Sequence, residues 1–170
     1  MVIWLIGISG AGKSTLGYML QDYLKKLDRK VYVLDGDSVR EFFNNDLGYA
    51  KQDRIANIKR ILLAAHVLNE NGIITIVCNI HPFEELRLFA RMKIEDYNEI
   101  YLRRNLTQSR EADVKNMYRN HEGKTDIVGI DTAFDEPKNS DLTIDTGVES
   151  REDSFDRLLA FLKNKYPDTF

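Results

Sequence analysis

At 170 residues, 43% hydrophobic and 10% aromatic, the chain is long enough for one well-buried core and too short for two ordinary domains. Its 24 Lys and Arg against 27 Asp and Glu leave a net charge of −3, which gives no sign of a duplex nucleic-acid binder. No apolar run reaches the length of about 18 residues that a membrane span needs, and the apolar segment starting at Val2 has neither a basic flank nor a small-residue cleavage site. We therefore expect one cytoplasmic domain over residues 1–170, with neither membrane nor nucleic acid as partner.

Val2 to Ile6 is an apolar run that predicts a buried strand, and glycines follow at once in Gly7-Ile-Ser-Gly-Ala-Gly12-Lys13-Ser14. Ser14-Thr15-Leu16 opens a helical pattern in which Leu16, Met19, Leu20, Tyr23, Leu24 and Leu27 share one face. Val31 to Leu34 predicts a second strand, which breaks off into Asp35-Gly36-Asp37; Ser38 is placed to cap a short helix reaching Phe43. A long helix is predicted over Lys51–Asn71, stopped by Gly72, then a third strand over Ile73–Cys78 closed by Asn79-Ile-His-Pro82. A helix over Phe83–Met92 and a fourth strand over Tyr97–Leu102 follow.

Residues 103 to about 126 carry many cations and few apolar side chains, the composition of a mobile lid. A fifth strand is predicted over Leu142–Ile144, and Ser150 with Asp153 has the spacing of a capping box for a last amphipathic helix. Strands alternating with helices predict an α/β fold of the P-loop type: an open, parallel, five-stranded sheet with helices on both faces. Cys78, alone and at the end of an apolar run, reads as a packing residue, and His66, in the apolar part of its helix, as a core or interface residue.

The strand, the glycine loop and the helix start form a phosphate cradle. Glycines let backbone N–H groups turn inward, and the helix N-terminus adds partial positive charge at the same point. Gly10, Ala11, Gly12, Lys13, Ser14 and Thr15 are the expected ATP-binding residues, with Lys13 on the β/γ-phosphates and the Ser14 hydroxyl on Mg²⁺. Asp35 and Asp37 arrive at the carboxyl end of a strand, the edge at which open α/β sheets bind ligands. Arg54 and Asn57, three residues apart, share one side of their helix.

Over nearly its whole length the sequence resembles the adenylylsulfate (APS) kinase family. The matching segments are GISGAGKST, LDGDSVR (34–40), DLGY (46–49), DRIANIKR (53–60), NIHP (79–82), DVKNMY (113–118), and GID (129–131) followed by DEP (135–137). The resemblance implies transfer of the ATP γ-phosphoryl group to the 3′-hydroxyl of an acceptor that is itself a small nucleotide. It implies Lys13, Asp35 and Asp37 as catalytic residues, with Ser14 and Asp35 on the metal. It also implies Arg40, Arg54 and Asn57 on the acceptor's anionic portion, Tyr49 stacked on its base, Ile80 and His81 facing it, Lys115 reaching it from the lid, and a homodimer.

Four departures from the family pattern bear on the acceptor: His81 for Ser, Asn116-Met117 for Gly-Leu, Ala112 for Arg, and Ile127 for the aromatic that forms the second face of the base clamp. Losing one stacking face removes about 1–3 kcal/mol and eases entry of a smaller base. The expectation is therefore a pyrimidine acceptor, cytidine diphosphoramidate, as in the capsule-locus kinases of this family. The alternative within the family is APS. The alternative of another class is a nucleotide-binding sensor without transfer chemistry, against which stands the lack of an N-K-x-D guanine signature.

Overall fold

The computed structural model describes residues 1–105, 107, 128–129 and 132–170. Five strands, β1 (Val2–Ile6), β2 (Val31–Asp35), β3 (Ile74–Cys78), β4 (Tyr97–Arg103) and β5 (Leu142–Asp145), lie in the order β2-β3-β1-β4-β5, every pair parallel. Parallel strands need crossovers, supplied by α1 (Lys13–Lys26), α2 (Gly36–Phe42), α3 (Lys51–Glu70) and α4 (Glu84–Lys93); α5 (Arg151–Lys165) follows the last strand. This is the sheet predicted from the sequence.

The unbroken apolar run of β1 has its reason in the layering. Successive side chains point to opposite faces, so Val2, Trp4 and Ile6 pack against Ile58, Ile61 and Ala65 of α3 and Leu86 and Ala90 of α4. Ile3 and Leu5 instead pack on the other side, with Leu16, Leu20 and Leu24 of α1 and Leu158 and Leu162 of α5. A central strand covered on both faces cannot alternate apolar with polar. β2, at one edge of the sheet, is less covered: of its residues only Leu34 is buried and Tyr32 is exposed.

Local chemistry moves several predicted boundaries. α2 is capped by Asp35, whose carboxylate accepts from the Asp37 N–H at 3.0 Å, rather than by Ser38, and so starts three residues earlier. Ser150 caps α5 as predicted: its Oγ accepts from the Asp153 N–H at 3.0 Å and donates to the Asp153 carboxylate at 2.7 Å. Arg103 belongs to β4 and pairs with Asp145 of β5 at 2.9 Å, so it is not a lid residue. His66 is neither core nor free: its side chain is 45% exposed and lies 4.0 Å from Glu70 one turn on. Cys78 is buried against α1, its thiol 3.4 Å from the Lys13 carbonyl, and burial pushes its pKa up to about 12. At Gly17 a side chain has no room, since a Cβ there would stand 2.5 Å from the Cys78 sulfur.

Candidate active site

The carboxyl ends of β1, β2 and β3 converge on the glycine loop. Gly12 is the N-cap of α1 and has φ 89°, a left-handed conformation that costs glycine nothing and a side chain much. That turn swings the chain from β1 into the helix without any side-chain cap, leaving the first-turn N–H groups of α1 to meet a phosphate. Lys13 folds back over the loop, its ammonium donating to the carbonyls of Gly7 at 2.9 Å and Ile8 at 2.8 Å. The loop is braced from outside by Thr146, just past β5, whose hydroxyl donates to the Ala11 carbonyl at 3.0 Å, and by Arg104, whose Nη1 reaches the Gly10 carbonyl at 3.3 Å.

Ser14 and Asp35 meet. The Ser14 hydroxyl donates to Asp35 Oδ2 at 2.6 Å, while Asp35 Oδ1 accepts from the Asp37 N–H. Magnesium prefers one or two oxygen side chains and fills its remaining positions with water and substrate phosphate, so this hydroxyl–carboxylate pair beside a phosphate cradle fits it. Asp37 is exposed one residue into α2. Thr15 is also exposed, on the first turn of α1.

A second cluster lies where α2, the following turn and α3 meet. Arg40 is 7% exposed and donates through Nη1 to the carbonyls of Leu47 and Gly48, at 3.1 and 2.8 Å. Its guanidinium sits 4.7 Å from the Tyr49 ring centroid, and that of Arg54 sits 5.4 Å from the same ring. Asn57, one turn beyond Arg54, is buried and reaches the Gly36 carbonyl with Nδ2 at 3.5 Å, whereas its Oδ1 has no hydrogen-bond partner among the described residues. Two buried cations around a half-exposed aromatic ring, with an amide beside them, can hold a planar base joined to an anionic group.

Ile80 and His81 follow the carboxyl end of β3, with Ile80 against the start of the glycine loop. The Ile80 carbonyl accepts from the Gly7 N–H at 3.5 Å, and the His81 N–H donates to Asn79 Oδ1 at 2.9 Å. The His81 ring does not face the open site: it is fully buried, 4.6 Å from the Trp4 indole, and burial pulls its pKa down to about 3. It is a neutral imidazole, so any contact from this position with an anionic acceptor comes from backbone. Lys115 and Ile127 lie outside the described residues, with most of the lid expected over 103–126.

Sequence reasoning brought the Ser14, Asp35 and Arg40 positions together and missed Thr146 and Arg104. Thr146 carried a signal, since it stands at the carboxyl edge of a strand as Asp35 does. Arg104 was hidden among the other arginines of its segment.

The adenylylsulphate kinase family model matches residues 1–145. An adenylyl-sulfate kinase of Bacillus pumilus is 39% identical over 168 residues, 96% of this chain and 85% of that protein. One from Picosynechococcus is 36% identical over 161 residues, 94% of this chain and 91% of that protein. Among solved structures, the Mycobacterium tuberculosis APS kinase in complex with AMPPNP and APS superposes with a TM-score of 0.88 at 30% identity, covering 95% of this chain and 96% of that one. These findings overturn the expected cytidine diphosphoramidate acceptor. The relatives that match almost end to end are named for adenylyl sulfate, and the substitution at Ile127, which motivated the pyrimidine reading, does not outweigh them.

Proposed function

The chain belongs to the adenylylsulphate kinase family, a phosphotransferase family acting on an alcohol group, and from that premise we propose that it transfers the γ-phosphoryl group of ATP to the 3′-hydroxyl of APS. The observation that carries the acceptor assignment is the gathering of Arg40 and Arg54 round the Tyr49 ring. A nucleotide with a phosphate–sulfate anion attached needs a stacking surface and two cations within a few ångströms of each other. This cluster supplies both.

On this reading the N–H groups of Gly10 to Thr15 hold the ATP phosphates, and Lys13 exchanges its two loop carbonyls for phosphate oxygens. Ser14 and Asp35 would hold Mg²⁺, which when bound neutralises charge on the transferring phosphoryl group. Both Asp35 oxygens are already engaged, by Ser14 and by the Asp37 N–H, which suits Asp35 to the metal and assigns to Asp37 the orienting of the acceptor hydroxyl and its proton. Arg40 and Arg54 hold the anionic end of the acceptor, Asn57 offers it an amide, and Tyr49 stacks on the base. The backbone at Ile80 and His81 walls the pocket; Lys115 and Ile127 complete it from the lid. Little covalent work is asked of the protein, so positioning and charge neutralisation carry the rate.

The whole chain acts as one kinase unit in this proposal, in the cytoplasm and as a homodimer. Among the described residues no helix is long and apolar enough to cross a membrane. The test is ADP release from ATP with Mg²⁺, with APS, a cytidine nucleotide or no acceptor present. Turnover that depends on APS is expected; equal ATP consumption in all three arms, or none in any, overturns the reading.

A further inference from the structure

The acceptor wall is held in a conformation its own sequence disfavours. His81 has φ 50°, a left-handed backbone that a residue with a side chain adopts only when its surroundings over-determine it. One determining contact is local, the Asn79 side chain on the His81 N–H, and a second comes from the glycine loop, the Gly7 N–H on the Ile80 carbonyl. Another comes from α4. Arg87, one turn into that helix and 3% exposed, donates through Nη1 to the His81 carbonyl at 3.0 Å and through Nη2 to the Asp135 carbonyl at 2.8 Å. Asp135 is tied back to the same wall, its N–H donating to the Pro82 carbonyl at 2.9 Å and its carboxylate accepting from the Glu84 N–H at 3.1 Å.

A buried guanidinium needs a counter-charge, and Glu99 in the middle of β4 provides it, with Oε1 3.8 Å from Arg87 Nε. Glu99 is itself buried, and it is shared with Arg91, one turn further along α4, at 3.9 Å. Arg91 is 36% exposed and pairs with Asp141 at 2.9 Å, so it braces the outside of this region. Only Arg87 reaches through to the wall. Its planar fork satisfies two carbonyls from segments 54 residues apart, which the single ammonium of a lysine cannot do.

We propose that Arg87 is a positioning residue for the acceptor: without touching it, the guanidinium locks the His81 and Asp135 carbonyls together and so fixes the wall that the acceptor lies against. The inference rests on the reading of Ile80 and His81 as acceptor wall. It predicts an effect chiefly on one substrate, because the phosphate loop, although joined to the wall through Gly7, is also braced by Thr146 and Arg104.

The experiment is steady-state kinetics of the full chain with ATP and APS varied separately, for the unaltered protein, Arg87→Lys and Arg87→Met, with Tm recorded for each. Arg87→Lys keeps a charge beside Glu99 and loses the fork. It is expected to raise KM for APS by about tenfold while KM for ATP stays within about twofold. Glu99→Gln, which frees the guanidinium to drift, is expected to give the same one-sided rise. Where Arg87→Met fails to fold, these two variants carry the test. Parallel changes in both KM values, or no change in either, overturn the proposal and leave Arg87 a structural residue. Failure of the unaltered protein to phosphorylate APS is a different result: it removes the acceptor reading, and this inference with it.

Discussion

The Ser14 hydroxyl donates to Asp35 Oδ2 at 2.6 Å, joining the first turn of α1 to the end of β2. The pair brings the phosphate loop and the Asp35-Gly36-Asp37 turn into one unit. Ser14→Ala and Asp35→Asn are each expected to lower kcat by about a hundredfold or more and to raise the Mg²⁺ concentration needed for half-activity. Because the two act on one ion, the double variant should be little worse than either single one. A Mg²⁺ titration of ADP release reads all three; full additivity separates the residues and sinks the shared site.

Tyr49 is predicted to act on the acceptor alone. Base stacking on an aromatic ring is worth about 1–3 kcal/mol, so Tyr49→Ala should raise KM for APS roughly fivefold to a hundredfold and leave KM for ATP unchanged. Tyr49→Phe keeps the ring and should be near normal. If the Ala and Phe variants behave alike, the ring is not a stacking platform.

His81 makes stability depend on pH. Its folded pKa, about 3, lies below the ordinary histidine value near 6.5 because burial disfavours the imidazolium, so between these values the unfolded chain binds the extra proton. The contribution is fully present above about pH 6.5 and is lost as pH falls toward 3, at up to about 1.4 kcal/mol per pH unit. Glu99 works in the opposite direction, since desolvation raises its pKa. His81→Asn, a residue that tolerates the left-handed backbone, should flatten the fall in urea-unfolding stability between pH 6.5 and 4. An unchanged slope would assign the acid sensitivity elsewhere.

Gly17 and Cys78 should be coupled. A Cβ at position 17 would meet the Cys78 sulfur at 2.5 Å, so Gly17→Ala is expected to destabilise by about 1–3 kcal/mol, the usual range for overpacking. Cys78→Ala makes room, and the double variant should regain much of the loss in a urea melt. With its pKa near 12 and its sulfur buried, Cys78 should resist iodoacetamide at pH 8 in the folded protein and react readily once unfolded.

Much of this architecture was legible because the residues that report it are local. Val2 to Ile6, the glycine loop and the face of α1 lie within 27 residues, so pattern alone gave strand, cradle and helix in order. The Ser150 cap of α5 was equally visible. Ser38 was misread because Asp35, one turn earlier, competes for the same role and wins by accepting the Asp37 N–H. His81 was expected to face the acceptor, and its neutrality could not be read: it follows from burial, with Trp4 against its ring, and from the charge of Arg87 on α4. The same holds for Arg87, which looks like a solvated helix charge until β4 supplies Glu99. The acceptor was misjudged for a further reason. A few substitutions, Ile127 foremost, stand against the rest of the pattern, and the rest of the pattern prevails.

The strand order has a consequence for how the chain is made. β1 sits in the centre of the sheet, Val2 flanked by Thr75 on one side and Tyr97 on the other. A ribosome delivers this apolar strand well before either neighbour, so the nascent chain carries it without its sheet partners until β3 and then β4 have been made. Ordering of the glycine loop, which β1 launches, must wait for β4. A chain released early, or paused before β4, exposes a strand edge suited to joining other chains, and its yield should respond to chaperone supply more than to the stability of the finished protein.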